Sequence, residues 1–365
     1  MTAQLRLRIG TGVFRPDLDE HALFLEVPDA RDKYTIPYIQ SSPDLDISTD
    51  FLDAAISSVR LSLSGDNGKT QESSLRRGRQ AVRLRGLPQG EYSLTAVARD
   101  RSGASRVELE YSRIGIGTIF AAIGDSITEG YFGHVFDRTG DLSASIFPSE
   151  AVCRDGRNFP QLGPTTLAHC SQWKCMQSWM TDLNDLLSES LARPVFIANE
   201  GWGGYKTCDY LKLMREDRNW QDRLSLLRPS TWLIHLGVND ERALRSAEEV
   251  GGDLEAIVDL LCHRYEAKAE AIFLARPCYD YAEGAPAILS SYCRVIDDII
   301  ARRGLSRGPD FFDAYSRDKQ RFYGDDPVHP NAEGMKLMAS LWAEAIRVGG
   351  LTGLRQPRRW DHRAR

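Results

Sequence analysis

Residues 118–130 read TIFAAIGDSITEG, and this stretch decides the fold of the larger part of the chain. It opens with an almost continuous apolar run, which is typical of a parallel strand that is buried on both faces. A polar turn follows at once and leads into a predicted helix, with Ser126 at the junction. In doubly wound sheets the functional loops lie just beyond the carboxyl ends of the strands. Ser126 therefore lies where chemistry is expected, although a serine at this place also suits a simple helix N-cap.

The same pattern recurs along the chain. Apolar strands are predicted at residues 194–198, 231–236 and 271–275, and a last strand at 311–313. Helices are predicted between them, because apolar residues recur at intervals of three and four. These stripes consist of Trp173, Met176, Met180, Leu183, Leu187 and Leu191, then Leu254, Ile257, Val258 and Leu261, and finally Ile288, Leu289, Tyr292, Val295, Ile296 and Ile299. Since strands and helices alternate, we predict an α/β domain with a doubly wound parallel sheet over residues 114–350.

The first part of the chain has a different pattern. Short stretches alternate apolar and polar residues there, turn signals separate them, and no helical stripe is present. The alternating stretches are residues 5–9, 59–63, 82–85, 92–96 and 107–111. We predict an all-β immunoglobulin-like sandwich of about seven strands over residues 1–113. At the other end, the basic residues 351–365 are predicted to form a solvated tail.

Composition and charge argue against several functions. The chain has 46 Lys and Arg against 51 Asp and Glu, a net charge of -5, which does not indicate a nucleic-acid or anionic-membrane partner. No apolar run approaches the roughly 18 to 20 residues of a membrane helix. The N-terminus lacks the basic and apolar regions of a signal peptide. The sequence as it stands indicates a cytoplasmic protein, and it equally fits a secreted one from which a leader has been removed, so the compartment stays open.

Cysteines and histidines do not indicate a cofactor. The seven cysteines are odd in number and lie within residues 153–293, unlike the paired framework of a small secreted domain. The spacing of Cys153, His169, Cys170 and Cys175 is not that of a zinc site. No glycine-rich stretch has the order of a phosphate or dinucleotide loop. We predict no metal and no other cofactor, and we interpret His235, inside an apolar strand, as a core histidine with satisfied hydrogen bonds.

Three further loops carry residue types that acyl transfer requires. A glycine-rich turn over residues 199–207 can lay backbone N–H groups against a ligand oxygen. Asn239 brings an amide to the end of a predicted strand, and Asp326 precedes His329 by three residues on a proline-bracketed turn. That carboxylate can accept the Nδ1–H of the imidazole and leave Nε2 to act as a base toward a serine. Together with Ser126, these loops predict an acyl-transfer site.

The segments around Ser126, Gly204, Asn239 and His329, in this order, resemble the SGNH, or GDSL-like, hydrolase family. The resemblance extends from the strand before Ser126 to the final helix and leaves the N-terminal region outside. It implies that Ser126 is the nucleophile, that His329 is the general base and that Asp326 orients the imidazole. It also implies an oxyanion hole formed by the backbone N–H groups of Ser126 and Gly204 and the side-chain amide of Asn239.

The spacing between the first two segments is longer than this family commonly shows. We therefore predict an insertion at about residues 131–171 of the catalytic domain. Asn158 and Phe159 in this insertion, and Trp202 in the glycine-rich turn, are candidate substrate-binding residues, because loops concentrate binding residues. The alternative is that they simply pack their loops onto the sheet.

The resemblance also concerns the substrate. A β-sandwich module before the catalytic domain is similar to the arrangement in bacterial sugar O-acetylesterases, and GDSITEG is similar to the motif of carbohydrate esterases. This implies a serine esterase that removes a small acyl group, acetyl in particular, from a carbohydrate through an acyl-enzyme. Its partner would be a small-molecule, oligosaccharide or polysaccharide ester. Two alternatives stay open, namely a lipolytic or aryl esterase and a non-catalytic glycan-binding protein. The sequence leaves the natural sugar, the ester position and the oligomeric state open.

Overall fold

The structure, a computed structural model, describes residues 5–9, 38–51, 54–66, 68–77, 81–129, 179–323 and 328–349. Within these ranges the first part of the chain is β-rich, and the second part forms a parallel sheet with helices on both faces. None of the helices in the described ranges is long and apolar enough to span a bilayer.

The described N-terminal strands form two sheets. They are β1 (Leu5–Ile9), β2 (Tyr38–Gln40), β3 (Leu45–Phe51), β4 (Ile56–Gly65), β5 (Thr70–Arg76), β6 (Ala81–Leu84), β7 (Gly90–Asp100) and β8 (Ser105–Ile116). One sheet has the order β1-β3-β6 and the other β2-β8-β7-β4-β5, with antiparallel neighbours except for the parallel pair β2 and β8. Side chains from both sheets, such as Ile47 and Leu61, belong to one buried apolar cluster.

The second part of the chain contains a five-stranded parallel sheet with the order β10-β9-β11-β12-β13. Its strands are β9 (Thr118–Gly124), β10 (Val195–Gly201), β11 (Thr231–His235), β12 (Ile272–Arg276) and β13 (Ser306–Asp310). Ile119 and Ile123 of β9 point into one apolar cluster, while Phe120 and Ala122 point into another. Because successive side chains face opposite sides of a strand, the central strands are buried on both faces.

Helices cover both faces of this sheet. They are α1 (Ser126–Glu129), α2 (Trp179–Leu191), α3 (Thr207–Glu216), α4 (Arg218–Leu227), α5 (Val238–Arg242), α6 (Ala247–Arg264), α7 (Ala285–Arg303), α8 (Phe311–Ser316), α9 (Lys319–Phe322) and α10 (Ala332–Val348). Apolar stripes of α3, α4, α6 and α7 pack on one face, and those of α2 and α10 on the other. The predicted doubly wound parallel sheet is confirmed. Trp173 and Met176 of the first predicted stripe lie outside the described residues.

The last predicted strand, at residues 311–313, is wrong. Residues Phe311–Ser316 form α8, whose N-terminus is capped because the Asp310 side chain accepts a hydrogen bond from the Asp313 backbone N–H. The edge strand is β13, which has no apolar run to reveal it. A Cβ atom at Gly308 would lie 2.7 Å from the backbone of β12 at Ala275, so the close approach of these strands requires glycine.

The N-terminal strands meet the parallel sheet at a tight junction. β8 ends at Ile116 and β9 begins at Thr118, with Gly117 between them. A Cβ atom on Gly117 would lie 2.5 Å from the Pro194 carbonyl oxygen, and Ile39 of β2 belongs to an apolar cluster of the parallel sheet. The domain boundary near residue 113 stays a prediction.

Candidate active site

Two side chains that are far apart in sequence meet at the carboxyl end of β9. Ser126 is the first residue of α1, and its Oγ atom lies 2.8 Å from Nε2 of His329. The serine side chain is largely buried and the histidine is half-buried. This distance is that of a hydrogen bond, and it joins a hydroxyl to a group that can take up its proton.

The turn that carries Ser126 is tightly built. A Cβ atom at Gly124 would lie 2.0 Å from Thr128 Oγ1 and 2.9 Å from the carbonyl oxygen of His235, so a larger residue does not fit without a shift of the backbone. Asp125 Oδ1 accepts a hydrogen bond from the Ile127 backbone N–H at 3.0 Å, which folds the chain from the strand into α1. The motif thus needs both residues before the serine for its shape.

Asp125 is also an unusual carboxyl group. It is buried, and Oδ2 has no hydrogen-bond partner among the described residues. Burial raises its pKa to about 7, although the hydrogen bond from Ile127 and the charge of His329 act in the opposite direction. The buried carboxyl group therefore holds a proton at pH values where an exposed aspartate has lost it.

Replacing Asp125 with asparagine is expected to change how stability depends on pH. The pKa of Asp125 is higher in the folded chain than the usual aspartate value of about 4, so the folded state keeps a proton that the unfolded chain has lost, and its stability falls as pH rises from about 4 to about 7. Asn cannot ionise, so the free energy of unfolding of the wild type should fall by up to a few kcal/mol relative to that of Asp125→Asn across this range. Urea unfolding of both proteins at pH 5 and at pH 8 measures this difference in the free energy of unfolding.

A suitable control for this measurement is Asp298→Asn, which changes an exposed carboxylate on α7. This variant should keep the pH dependence of the wild type. The assignment of the buried proton to Asp125 is contradicted if Asp125→Asn and the wild type show the same change in unfolding free energy between the two pH values.

The glycine-rich turn follows β10, the neighbour of β9. The Trp202 N–H donates to the Gly124 carbonyl at 3.0 Å, and the Tyr205 N–H donates to the Trp202 carbonyl at 3.1 Å. Gly204 is exposed and has a φ of 78°. Its backbone N–H takes part in neither of these two hydrogen bonds. A Cβ atom there would meet nothing within 4 Å, so glycine is favoured at this position by backbone conformation rather than by crowding.

Asn239 lies on the other side of β9, at the start of α5 after β11. Its Nδ2 atom donates to the carbonyl oxygen of Tyr205 at 3.1 Å. The amide therefore ties the loop after β11 to the glycine-rich turn. An amide nitrogen carries two hydrogens, so the second remains available to another acceptor.

A buried polar network fixes the same two loops. The carboxylate of Asp240 is buried and accepts hydrogen bonds from the backbone N–H and the hydroxyl of Thr207 and from Arg245 Nη1. Arg245 Nη1 also lies 2.8 Å from Asp253 Oδ2 on α6. The motif around Asn239 contains Asp240, but nothing local in the sequence indicates Arg245 or Asp253, because they meet Asp240 only in the folded chain.

The residues that follow His329 are anchored to the end of α9. Pro330 forms an antiparallel bridge with Tyr323, and the Asn331 N–H donates to the Phe322 carbonyl at 2.8 Å. The Asn331 side chain caps α10 by accepting from the Gly334 N–H at 3.0 Å. Asp326, predicted to orient the imidazole, lies outside the described residues.

The remaining candidates have different outcomes. Asn158 and Phe159, with the whole predicted insertion, lie outside the described residues. Trp202 is half-buried, and its ring centroid lies 5.3 Å from that of Tyr205.

His235 is buried as expected, but neither of its ring nitrogens has a hydrogen-bond partner within the described ranges, so the expectation of satisfied hydrogen bonds is wrong. Its ring packs edge-on against Phe311, and burial lowers its pKa to about 3, which keeps it neutral.

Metal-ligating residues do not gather in the part of the chain that the structure covers, where no group of three or more His, Cys, Asp or Glu side chains is placed to hold an ion. Cys208, Cys262, Cys278 and Cys293 are free thiols there. The residues weighed for a zinc site, Cys153 to Cys175, lie outside the described ranges.

The order of these loops agrees with a known family. The sequence profile of the GDSL-like Lipase/Acylhydrolase family matches residues 122–337, which is more than half of the chain and includes every loop described above. The chain belongs to this family. The resemblance seen in the sequence is confirmed. Because the chain is a member of this family, it is an ester hydrolase that uses a serine.

The solved structures that the chain resembles have low sequence identity to it, and no curated protein matches it. TesA has a TM-score of 0.42 at 15% identity, over 65% of this chain and 100% of its own. A Clostridium thermocellum family 3 carbohydrate esterase has the same TM-score of 0.42 at 15% identity, over 65% and 98%. An acetyl esterase crystallised with acetate has a TM-score of 0.39 at 16% identity, over 64% and 98%.

Proposed function

We propose that the chain is a serine esterase that removes a small acyl group, acetyl in particular, from a carbohydrate. The observation that carries the proposal is the 2.8 Å distance between Ser126 Oγ and His329 Nε2 at the carboxyl edge of the sheet. Asp326 is proposed to accept the Nδ1–H of His329 and so to leave Nε2 as the base.

The first half of the reaction forms an acyl-enzyme. Ser126 Oγ attacks the ester carbonyl carbon while His329 Nε2 takes the hydroxyl proton, and the carbonyl oxygen becomes an oxyanion. Collapse of the tetrahedral intermediate breaks the bond to the alcohol oxygen of the sugar. His329 returns its proton to that oxygen, so the alcohol leaves as a neutral hydroxyl.

The second half releases the acid. A water molecule attacks the acyl carbon while His329 accepts its proton, and the second tetrahedral intermediate collapses with protonation of Ser126 Oγ. In both halves the negative oxygen is proposed to be bound by the N–H groups of Ser126 and Gly204 and by the second amide hydrogen of Asn239. The hydrogen bond from Asn239 to the Tyr205 carbonyl supports this role, because it fixes the amide beside the glycine-rich turn.

Replacing Asn239 with alanine is expected to lower kcat by about 10²-fold to 10³-fold, which is about 3 to 4 kcal/mol, as for the loss of one oxyanion donor elsewhere. KM should change little, because the amide is proposed to bind the oxyanion more strongly than the ground-state carbonyl. Steady-state kinetics with an aryl acetate measures both constants. Asn184→Ala, on α2, is the control and should behave as the wild type. A change in KM alone would mean that Asn239 binds substrate uniformly.

Two features support a sugar. The half-buried rings of Trp202 and Tyr205 pack against each other on either side of Gly204 in the sequence. Tyr279 and Tyr281, on the loop after β12, add half-exposed aromatic rings at the carboxyl edge of the same sheet. Aromatic faces of this kind attract the polarised C–H bonds of a pyranose ring.

A hydrolysis panel tests the proposal. We expect release of acetate from acetylated oligosaccharides and rates that fall as the acyl chain of 4-nitrophenyl esters lengthens from acetate to octanoate. Rates that rise with chain length would instead favour the lipolytic alternative. Binding of glycans with no turnover of any ester would favour the non-catalytic alternative and contradict the esterase.

We also propose that the N-terminal β-rich region is an immunoglobulin-like sandwich. The shared apolar core of its two sheets supports this. So does the hydroxyl of Tyr92 at the start of β7, which donates to the Pro88 carbonyl four residues upstream, as in the tyrosine corner of such domains.

A further inference from the structure

A cavity of about 470 Å³ lies beside the glycine-rich turn. It is lined by Tyr205, Asp209, Lys212, Leu213, Glu216 and Asp217. Its volume falls in the range of about 300 to 1,000 Å³ that is typical of small-molecule sites. None of its lining residues belongs to the proposed catalytic groups. One of them, Tyr205, directly follows Gly204 and accepts the hydrogen bond from Asn239, so the cavity adjoins the proposed site.

The cavity extends away from that site along α3. Asp209, Lys212, Leu213 and Glu216 are spaced by three and four residues, so they form one face of this helix. The distance along the helix axis from Asp209 to Glu216 is about 10 Å at 1.5 Å per residue. A groove of this length suits more than one ring of a chain-like ligand, rather than a single small group.

Tyr205 closes the end of the cavity nearest to the glycine-rich turn. Its ring packs against Trp202 with centroids 5.3 Å apart and meets the buried Tyr210 edge-on at 6.5 Å. These contacts hold the ring in one orientation, while the side chain remains half-exposed toward the cavity. The cavity thus offers a fixed aromatic surface, as a sugar ring requires for stacking.

The other walls are rich in hydrogen-bond acceptors. Three carboxylates, Asp209, Glu216 and Asp217, line the cavity with a single lysine, Lys212. Burial acts to raise the pKa of Asp209, but hydrogen bonds with Lys206 lower it overall, so this group is anionic at neutral pH. Asp209 pairs with Lys206 at 2.7 Å and Glu216 lies 3.9 Å from Lys212, so Asp217 leaves the lining with a net negative charge. Such a lining accepts bonds from hydroxyl groups and disfavours anions. Leu213 alone adds an aliphatic surface, which does not suit a long acyl chain.

We propose that this cavity is a subsite for the uncharged sugar units of a neutral glycan that continue beyond the acylated unit. The inference rests on the proposed function, since it identifies the alcohol part of the substrate. It assigns Tyr205 to stacking and the carboxylates of α3 to recognition of hydroxyl groups, and it excludes uronate-rich chains as the preferred substrate.

Kinetics test the subsite directly. Wild type should hydrolyse acetylated xylotriose with a kcat/KM at least tenfold above that for acetylated xylose, and should discriminate against acetylated trigalacturonide. Tyr205→Ala should lower kcat/KM for acetylated xylotriose at least tenfold more than it lowers kcat/KM for 4-nitrophenyl acetate. Tyr205→Phe, which keeps the aromatic ring, should show the wild-type ratio of these two values. Equal losses on both substrates would overturn the subsite, because they would show that Tyr205 only supports the turn.

Binding measurements separate this inference from the esterase proposal. Calorimetry on Ser126→Ala with unmodified xylotriose and cellotriose should show binding that the added substitution Tyr205→Ala weakens at least tenfold. Glu216→Lys should raise the affinity for trigalacturonide, whereas Glu248→Lys, an exposed change on α6, should not. No binding of either neutral trisaccharide, or equal binding of the uronate, overturns the subsite even if esterase activity is present. Ester hydrolysis that persists in Ser126→Ala, or that is missing from the wild type, would overturn only the proposed function.

Discussion

Ser126→Ala is expected to abolish ester hydrolysis, with a loss of kcat on the order of a million-fold, as when the serine is removed from other Ser-His enzymes. The reason is that alanine has no oxygen to form the acyl-enzyme, while the half of the site that binds the oxyanion stays in place. The substitution removes one oxygen atom at a turn, and this oxygen forms a hydrogen bond with His329. The variant should therefore fold with nearly the stability of the wild type. Release of 4-nitrophenol from the acetate ester measures the loss.

Ser340→Ala provides a matched control. Ser340 is exposed on α10, and its hydroxyl donates to the Lys336 carbonyl of the same helix, so its loss removes a serine without touching the site. This control should keep full activity. A correctly folded Ser126→Ala variant, judged by circular dichroism and thermal unfolding, must retain no more than trace activity. Retention of more than a few per cent would show that another group forms the acyl-enzyme.

His329→Ala is expected to lower kcat by at least about 10⁴-fold, the upper part of what a positioned general base contributes. Without the imidazole, the Ser126 hydroxyl loses the base that lies 2.8 Å from it and takes up its proton. The double variant Ser126→Ala/His329→Ala should be no less active than Ser126→Ala, because the two side chains act as one unit and their losses do not add. Single-turnover and steady-state kinetics on the three variants measure this.

Added imidazole distinguishes the two roles. It should restore part of the activity of His329→Ala, since it can enter the space left by the half-buried side chain, and none of the activity of Ser126→Ala. His263→Ala, at an exposed position near the end of α6, is the control and should match the wild type. The general-base assignment is wrong if His329→Ala lowers activity no more than this control does.

The protein combines a rigid frame with a site built from loops. β9 is the second strand of the parallel sheet, with β10 on one side and β11 on the other, and the loops after all three carry candidate residues. Hydrogen bonds from Trp202 to Gly124 and from Asn239 to Tyr205 join these loops directly to each other. The Asp240 network adds a buried link between α3, α5 and α6. We infer that the spacing of the proposed oxyanion donors depends on these bonds as much as on the strands.

Periodicity predicted most of the architecture, because burial of a whole strand or of one helix face leaves a regular pattern in the residue order. The strand and turn at 118–129 and the stripe at Leu254, Ile257, Val258 and Leu261 are examples, and both occur as predicted. The pattern fails where an element lies at an edge and carries few apolar residues. β13 reads Ser-Arg-Gly-Pro-Asp, and the apolar pair that follows it starts a helix instead.

By itself, the sequence determined the fold class of the second part of the chain, its family and the four loops in which chemistry was expected. These properties depend on residues that are close in sequence, so their patterns are local. Only the tertiary structure brought Ser126 and His329 within 2.8 Å of each other, buried Asp125 beside them and opened a cavity along α3. Distances between residues and the dielectric surroundings of a carboxyl group are set by packing among distant segments. No short stretch of sequence contains that information, because each such contact depends on residues far apart in the chain.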